Sequence, residues 1–223
     1  MTFQQSTNTT MASYGLGDRW AVNAADRVVS RKAEAALTIG KFVFAGTDPD
    51  TQVKQAIGRG LPIGLILNDS GKYPITAYLG EYTNTVPANF NTDVFLSASA
   101  VITGAGVTNS SQKVFASYID GTASFALPGT TPADFVGTGY ISTTTFTVSS
   151  TTSGAIVIGQ KITGTGIAAE TYIVSGTGPY VVSVSQSVGS SGSPVAINGA
   201  NSVETNYRVI VGGADGALIK ISA

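Results

Sequence analysis

The apolar residues of this chain fall into runs of roughly four to eight, broken by Gly, Pro, Asn and Asp, and helical spacing is nearly absent. That pattern restricts the fold more than any other feature, because short apolar runs at close spacing bury themselves most simply as strands. Leu37–Ala45, Leu61–Leu67, Ile75–Leu79, Asp93–Ser97, Lys113–Ile119 and Ala123–Leu127 form a first set of expected strands. Tyr140–Val148, Ala155–Ile162, Thr171–Val174, Tyr180–Val184, Val195–Ile197, Tyr207–Val211 and Leu218–Ile221 form a second. Asp120–Gly121 predicts a tight hairpin turn between two of them. About a dozen short strands imply an all-β sandwich or barrel. Asp26–Leu37 (DRVVSRKAEAAL) is the best helix candidate, with Val29, Ala33, Ala36 and Leu37 on one face, although Val28–Val29 equally favours an extended run.

Charge divides the chain. Between Gly121 and Ala200 only Asp134, Lys161 and Glu170 are charged, and Ser/Thr runs such as STTTFTVSSTTS (Ser142–Ser153) dominate. After Asn201 the texture of the first half returns. The simplest organisation is a core domain over 1–135, its N-terminal arm about 1–20, completed by 200–223, with a β-module inserted at 136–199. Alternation through Tyr140, Phe146, Val148, Ile156 and Ile158 argues for a folded module rather than a linker.

Histidine and cysteine are both absent. Thiol nucleophiles, Ser-His pairs and nearly all zinc or transition-metal sites are thereby excluded. With 12 basic against 13 acidic residues, no electrostatic field draws in nucleic acid or an anionic membrane. Charged residues make up 11% of the chain, far below the roughly 25% of soluble domains, as suits a surface packed against neighbours. No window approaches the roughly 20 apolar residues of a membrane helix. MTFQQSTNTTMASYGLGDRW has neither a basic n-region nor an apolar h-region, so folding in a reducing cytosol is expected.

Gly164–Ala169 (GTGIAA) fits the dinucleotide fingerprint letter for letter. A nucleotide loop must open a helix and carry an acidic residue about 20 positions on. Here Thr171–Val174 is β-branched and aromatic, and no Asp or Glu occurs from Thr171 to Val203. The glycines read as turn residues and no cofactor is expected. Asp48-Pro49-Asp50 reads as a surface turn rather than a metal site. Ser110 and Lys113 match the spacing of the first β-lactamase motif, but its other motifs are missing. Phe42, Phe44, Phe95, Phe115, Phe125 and Phe146 fall in strand runs and read as core. Phe3, Tyr14 and Trp20 lie in a polar arm and read as anchors on a neighbouring subunit.

The opening MTFQQSTNTTMASYGLGD, the run LTIGKFVFAGTDPDTQVKQAIGRGLPIGLILND, then ITAYLGEYTNTVPANFNTDVFLS, QKVFASYIDGTA and the closing VETNYRVIVGGADGALIKIS resemble structural cement, or decoration, proteins of tailed-bacteriophage heads. Residues 136–199 are similar to a Gly/Thr-rich β-module of phage virion proteins, through GxIxxGQxIxGTGIAAxTxI and YVVS. The charges in Asp26–Ala36 depart from the first resemblance. It implies a small β-barrel or jelly-roll-like core with an inserted, outward-facing β-sandwich-like module. It further implies a non-enzymatic protein, made in the host bacterial cytoplasm, that binds the outer capsid surface and bridges major capsid protein subunits. A homo-oligomer, dimer or trimer, is expected, with Phe3, Tyr14, Arg19 and Trp20 as capsid or subunit contacts. The alternative is a tail or fibre component whose module binds host-surface glycans; a carboxylate glycosidase is a third.

Overall fold

The computed structural model describes residues 15–21, 26–68, 84–130 and 132–223. Eighteen strands carry their regular structure, and none of the described residues is helical. The expected strand Ile75–Leu79 lies outside the described residues, as do Phe3 and Tyr14.

The strands sort into three main assemblies. A six-stranded sheet runs β1 (Arg19–Ala21), β9 (Ser99–Thr103), β18 (Leu218–Ser222), β17 (Ser202–Val211), β10 (Lys113–Ser117) and β11 (Ala123–Ala126). A first closed barrel joins β2 (Arg27–Ala33), β5 (Gln52–Lys54), β4 (Phe42–Ala45), β6 (Gly64–Ile66) and β8 (Asn91–Ser97). β3 (Leu37–Thr38) and β7 (Thr85–Val86) pair as a small ribbon. A second closed barrel joins β12 (Phe135–Gly154), β15 (Tyr180–Val188), β14 (Thr171–Ser175), β13 (Lys161–Gly164) and β16 (Val195–Ala200). The chain therefore leaves the sheet after β11 and rejoins it as β17, beside β10. The Asn201 N–H donates to Asp134 Oδ2 at 2.7 Å where the two crossings meet.

The all-β expectation holds, with barrels as its units. Residues 136–199, expected as sandwich-like, lie in a closed barrel instead. Closure leaves no long edge exposed in a stretch whose low charge offers little defence of one. β12 reaches this by doubling back on itself. A Cβ on Gly139 would sit 2.5 Å from the Thr147 carbonyl oxygen, and one on Gly137 2.4 Å from that of Ser150. Only glycine permits that approach.

The helix candidate Asp26–Leu37 is corrected. Residues 27–33 form β2, paired antiparallel with β8 from Arg27↔Ser97 to Lys32↔Asn91. Period two buries Ala33 and sets Val29 against the core, whereas Ala36, required by a helical stripe, is exposed. Barrel closure and β-branched Val28–Val29 outweigh the helical preference of the alanines. Ala155–Ile162 is corrected too: only its last two residues join a strand, because the chain turns at Gly159 (φ 93°). The Asp120–Gly121 hairpin exists, but its loop spans four residues, Tyr118–Gly121, closed by Ser117 N–H to Thr122 O at 2.9 Å. Tyr118, 2% exposed, continues the core-facing alternation of Val114 and Ala116 just past the end of β10.

Each barrel has its own apolar core, one around Val43, Val53 and Ile66, the other around Phe146, Ile162 and Ile173. A third cluster is shared. Phe42, Phe44, Leu65 and Phe95 of the first barrel pack there with Ile102, Val114, Val209 and Ile221 of the sheet. Tyr172 of the second barrel completes it.

Candidate interaction surface

Tyr172 is the second barrel's contribution to that shared core. Its ring meets Tyr118 edge-on, with centroids 5.3 Å apart at 78°, and Tyr118 lies 5.8 Å from Phe44. Aromatic pairs of this geometry add to the area they bury. The Tyr172 hydroxyl accepts the Gly60 N–H at 2.7 Å and donates to Glu170 Oε2. Glu170 in turn pairs with Lys161, whose ammonium lies 5.9 Å from the Tyr172 ring centroid. Hydrogen bonds from Lys161 and then Tyr172 hold the Glu170 carboxyl below its usual range. Burial, reinforced by the Glu170 bond, pushes the Tyr172 phenol far up, and burial raises Tyr118 to about 12. These phenols stay protonated in the folded protein at neutral pH, and their contacts fasten the second barrel to the first.

Near the seam, Glu34, Lys41, Lys54, Arg59, Asp120 and Val174 line a cleft of about 530 Å³. Lys41 pairs with Asp120 at 2.8 Å. Burial opposes ionisation of Asp120, but hydrogen bonds from Lys41 and Thr122 outweigh it and hold the carboxyl at about 2.

Of the expected contact residues, Arg19 and Trp20 are described, and both engage their own fold. The Trp20 indole N–H donates to the Ile221 carbonyl at 3.0 Å, and Lys220 stands 5.4 Å from its ring centroid. The Arg19 guanidinium lies 5.3 Å from the Phe95 ring centroid and 3.8 Å from Asp26. They fix β1 to the edge of the sheet, where it pairs with β9.

Sequence reasoning missed a different surface. Val107, Val211 and Leu218 are 78%, 52% and 47% exposed. They sit at one end of the six-stranded sheet, where the 104–109 and 212–217 loops are bound together. Thr108 N–H donates to Gly213 O at 2.9 Å, Gly104 N–H to Ala217 O at 2.8 Å, and Gly106 N–H to Asp215 Oδ1 at 2.7 Å. Gly212 is obligatory there, since a Cβ would fall 2.1 Å from the Thr108 carbonyl oxygen. Nothing in the sequence marks these three side chains, because each reads as part of, or beside, an ordinary strand.

The remaining motifs resolve as structure. Gly166 lies in the β13–β14 connection at φ 82° with a strand following. Gly164, expected in the same turn, is instead the last residue of β13, paired with Ile197, where a Cβ would fall 2.4 Å from the Ala196 carbonyl oxygen. Asp48 caps its own turn, accepting Thr51 Oγ1–H at 2.6 Å and the Asp50 N–H at 3.2 Å. The Lys113 ammonium donates to the Asn206 carbonyl at 3.2 Å, which engages it away from any activation of Ser110. Comparison with known protein families and with curated proteins returns no match.

Proposed function

We propose that this chain is a non-enzymatic structural protein of a tailed-phage virion, bound to the outside of the assembled head and bridging major capsid protein subunits. The observation that carries the reading is the exposure of Val107, Val211 and Leu218 at one end of the sheet, on and beside two hydrogen-bonded loops, in a chain with 11% charged residues. Exposed apolar groups at one rigid end of a sheet mark a protein-contact surface. The resemblance of residues 1–127 and 203–223 to head cement proteins supplies the partner. On this reading the protein assembles as a dimer or trimer and needs no cofactor. It stabilises the shell by binding the assembled lattice and not its free subunits. Modest contacts repeated over the oligomer raise the effective concentration of each.

Co-sedimentation tests this directly. The purified chain should pellet with empty, expanded heads of the phage that encodes it and remain in the supernatant with free capsid protein. Absence from the head pellet, or equal association with free subunits, overturns the proposal.

A further inference from the structure

The second barrel carries a cleft of about 360 Å³ that the head-binding reading leaves unused. Its lining includes Phe135, Thr147, Thr151, Ile156, Pro179 and Tyr180, and no charged residue. Tyr180 rests against Phe146 at 6.1 Å between centroids, which braces its ring from the core. Thr147, Thr151 and Tyr180 each carry a hydroxyl, and none of the three hydroxyls hydrogen-bonds to a described residue. Next to the cleft, Ser149–Gly154 is an exposed Ser/Thr stretch of β12.

The chemistry of the lining narrows the ligand. A phosphate or carboxylate ligand needs a cation or a convergent set of N–H donors, and an ammonium ligand needs a carboxylate or aromatic cage. The lining offers no ionised group. A wholly apolar ligand would strand three hydroxyls away from water. An uncharged lining that combines apolar surface with hydroxyls suits a neutral molecule with an apolar face and a hydroxyl rim. Tyr180 and Pro179 present the apolar surface, and the threonine hydroxyls serve as both donors and acceptors. The volume falls within the range of small-ligand sites.

We infer that this cleft binds a neutral saccharide unit, one pyranose ring lying against Tyr180 and Pro179 with its hydroxyls meeting Thr147 and Thr151. The inference does not rest on head binding, since the site lies in the second barrel and away from Val107, Val211 and Leu218. Either reading stands if the other falls.

Saturation-transfer NMR on the full chain tests it, using neutral gluco-, galacto-, manno- and rhamno-configured oligosaccharides beside sialylated and phosphorylated ones. At least one neutral oligosaccharide should show transfer, strongest at the C–H protons of one ring face, and the anionic ones should not bind better. Tyr180→Phe and Thr151→Val each delete one hydroxyl with little change of shape. Each should weaken binding by roughly five- to tenfold. Tyr180→Ala should abolish transfer, with an unchanged far-ultraviolet circular dichroism spectrum and an unfolding midpoint within a few degrees reporting an intact fold. No transfer from any neutral saccharide at millimolar concentration overturns the inference. So does transfer that survives both hydroxyl deletions, or that is confined to anionic sugars.

Discussion

The Tyr172 hydroxyl, on a strand of the second barrel, accepts the backbone N–H of Gly60, in the β5–β6 loop of the first, at 2.7 Å. Residues 112 positions apart in the chain are thereby joined. Tyr172→Phe leaves the Gly60 N–H without its partner while keeping the ring. The variant should lose about 1–3 kcal/mol of stability, read as a lower urea midpoint with an unchanged slope. Tyr172→Ala also empties the shared core and should cost about 3–5 kcal/mol.

Acid should loosen the same region. Asp120 is held at about 2 against the ordinary 3.8 of an aspartate, so its stabilisation is present above 3.8 and is lost as pH falls towards 2. Taken at face value that depression is worth roughly 2–3 kcal/mol. The side chain is 48% exposed, and solvent screening reduces the contribution to about 1 kcal/mol. Glu170, also depressed, acts in the same direction as pH falls below the ordinary 4.5 of a glutamate. Urea midpoints measured downward from pH 6 should fall less steeply for Asp120→Asn than for the parent chain.

Alkali should act through buried phenols. Tyr118 is raised from 10.0 to about 12, and burial pushes Tyr172 and Tyr207 up as well. A raised phenol stays protonated in the folded state while the unfolded chain ionises, so stability present below pH 10 is lost as pH rises towards 12. Part of the phenolate absorbance, that of Tyr118, Tyr172 and Tyr207, should appear only with unfolding. Titration of all nine tyrosines in one step near pH 10 would contradict this.

Gly60 and Gly121 separate conformation from space. Both have positive φ, 69° and 72°. A Cβ on Gly60 meets nothing within 4 Å, whereas one on Gly121 would fall 2.2 Å from the Phe42 carbonyl oxygen. Gly60→Ala should cost about 1–2 kcal/mol, the strain of the left-handed backbone alone. Gly121→Ala should cost more than this, since the Phe42–Gly121 hydrogen bond must shift too.

Tyr207–Val211 is legible as a strand because its apolar residues keep period two, and Thr171–Val174 because it is a β-branched and aromatic run. β2 was ambiguous, since its alanines suit a helix and only pairing with β8 decides the matter. β1 and β9 carry no strong local pattern: β9 is held between β18 and β1, and β1 is held at the sheet edge by β9. The organisation around Tyr118 and Tyr172 was illegible: two tyrosines 54 positions apart, by their numbers, meet only through the folding of two barrels. Trp20 stands out in the sequence as an aromatic in a polar stretch, and the structure places it in β1 against its own sheet. Its partner, the carbonyl of Ile221, lies at the far end of the chain and leaves no local trace.

The exposed platform gives the functional prediction. Val107→Asp and Leu218→Asp place charges on a face that should be desolvated on binding. Each should weaken head association about tenfold or more with little change in thermal stability. Equal binding by the parent chain and both variants would move the contact elsewhere.

A cryo-electron microscopy map of the mature parent particle tests the central claim most directly. Density for this chain should lie on the outer head surface, across joints between capsid subunits, with Val107, Val211 and Leu218 turned towards the shell. Its absence from mature heads, or its placement at the tail, would contradict the account.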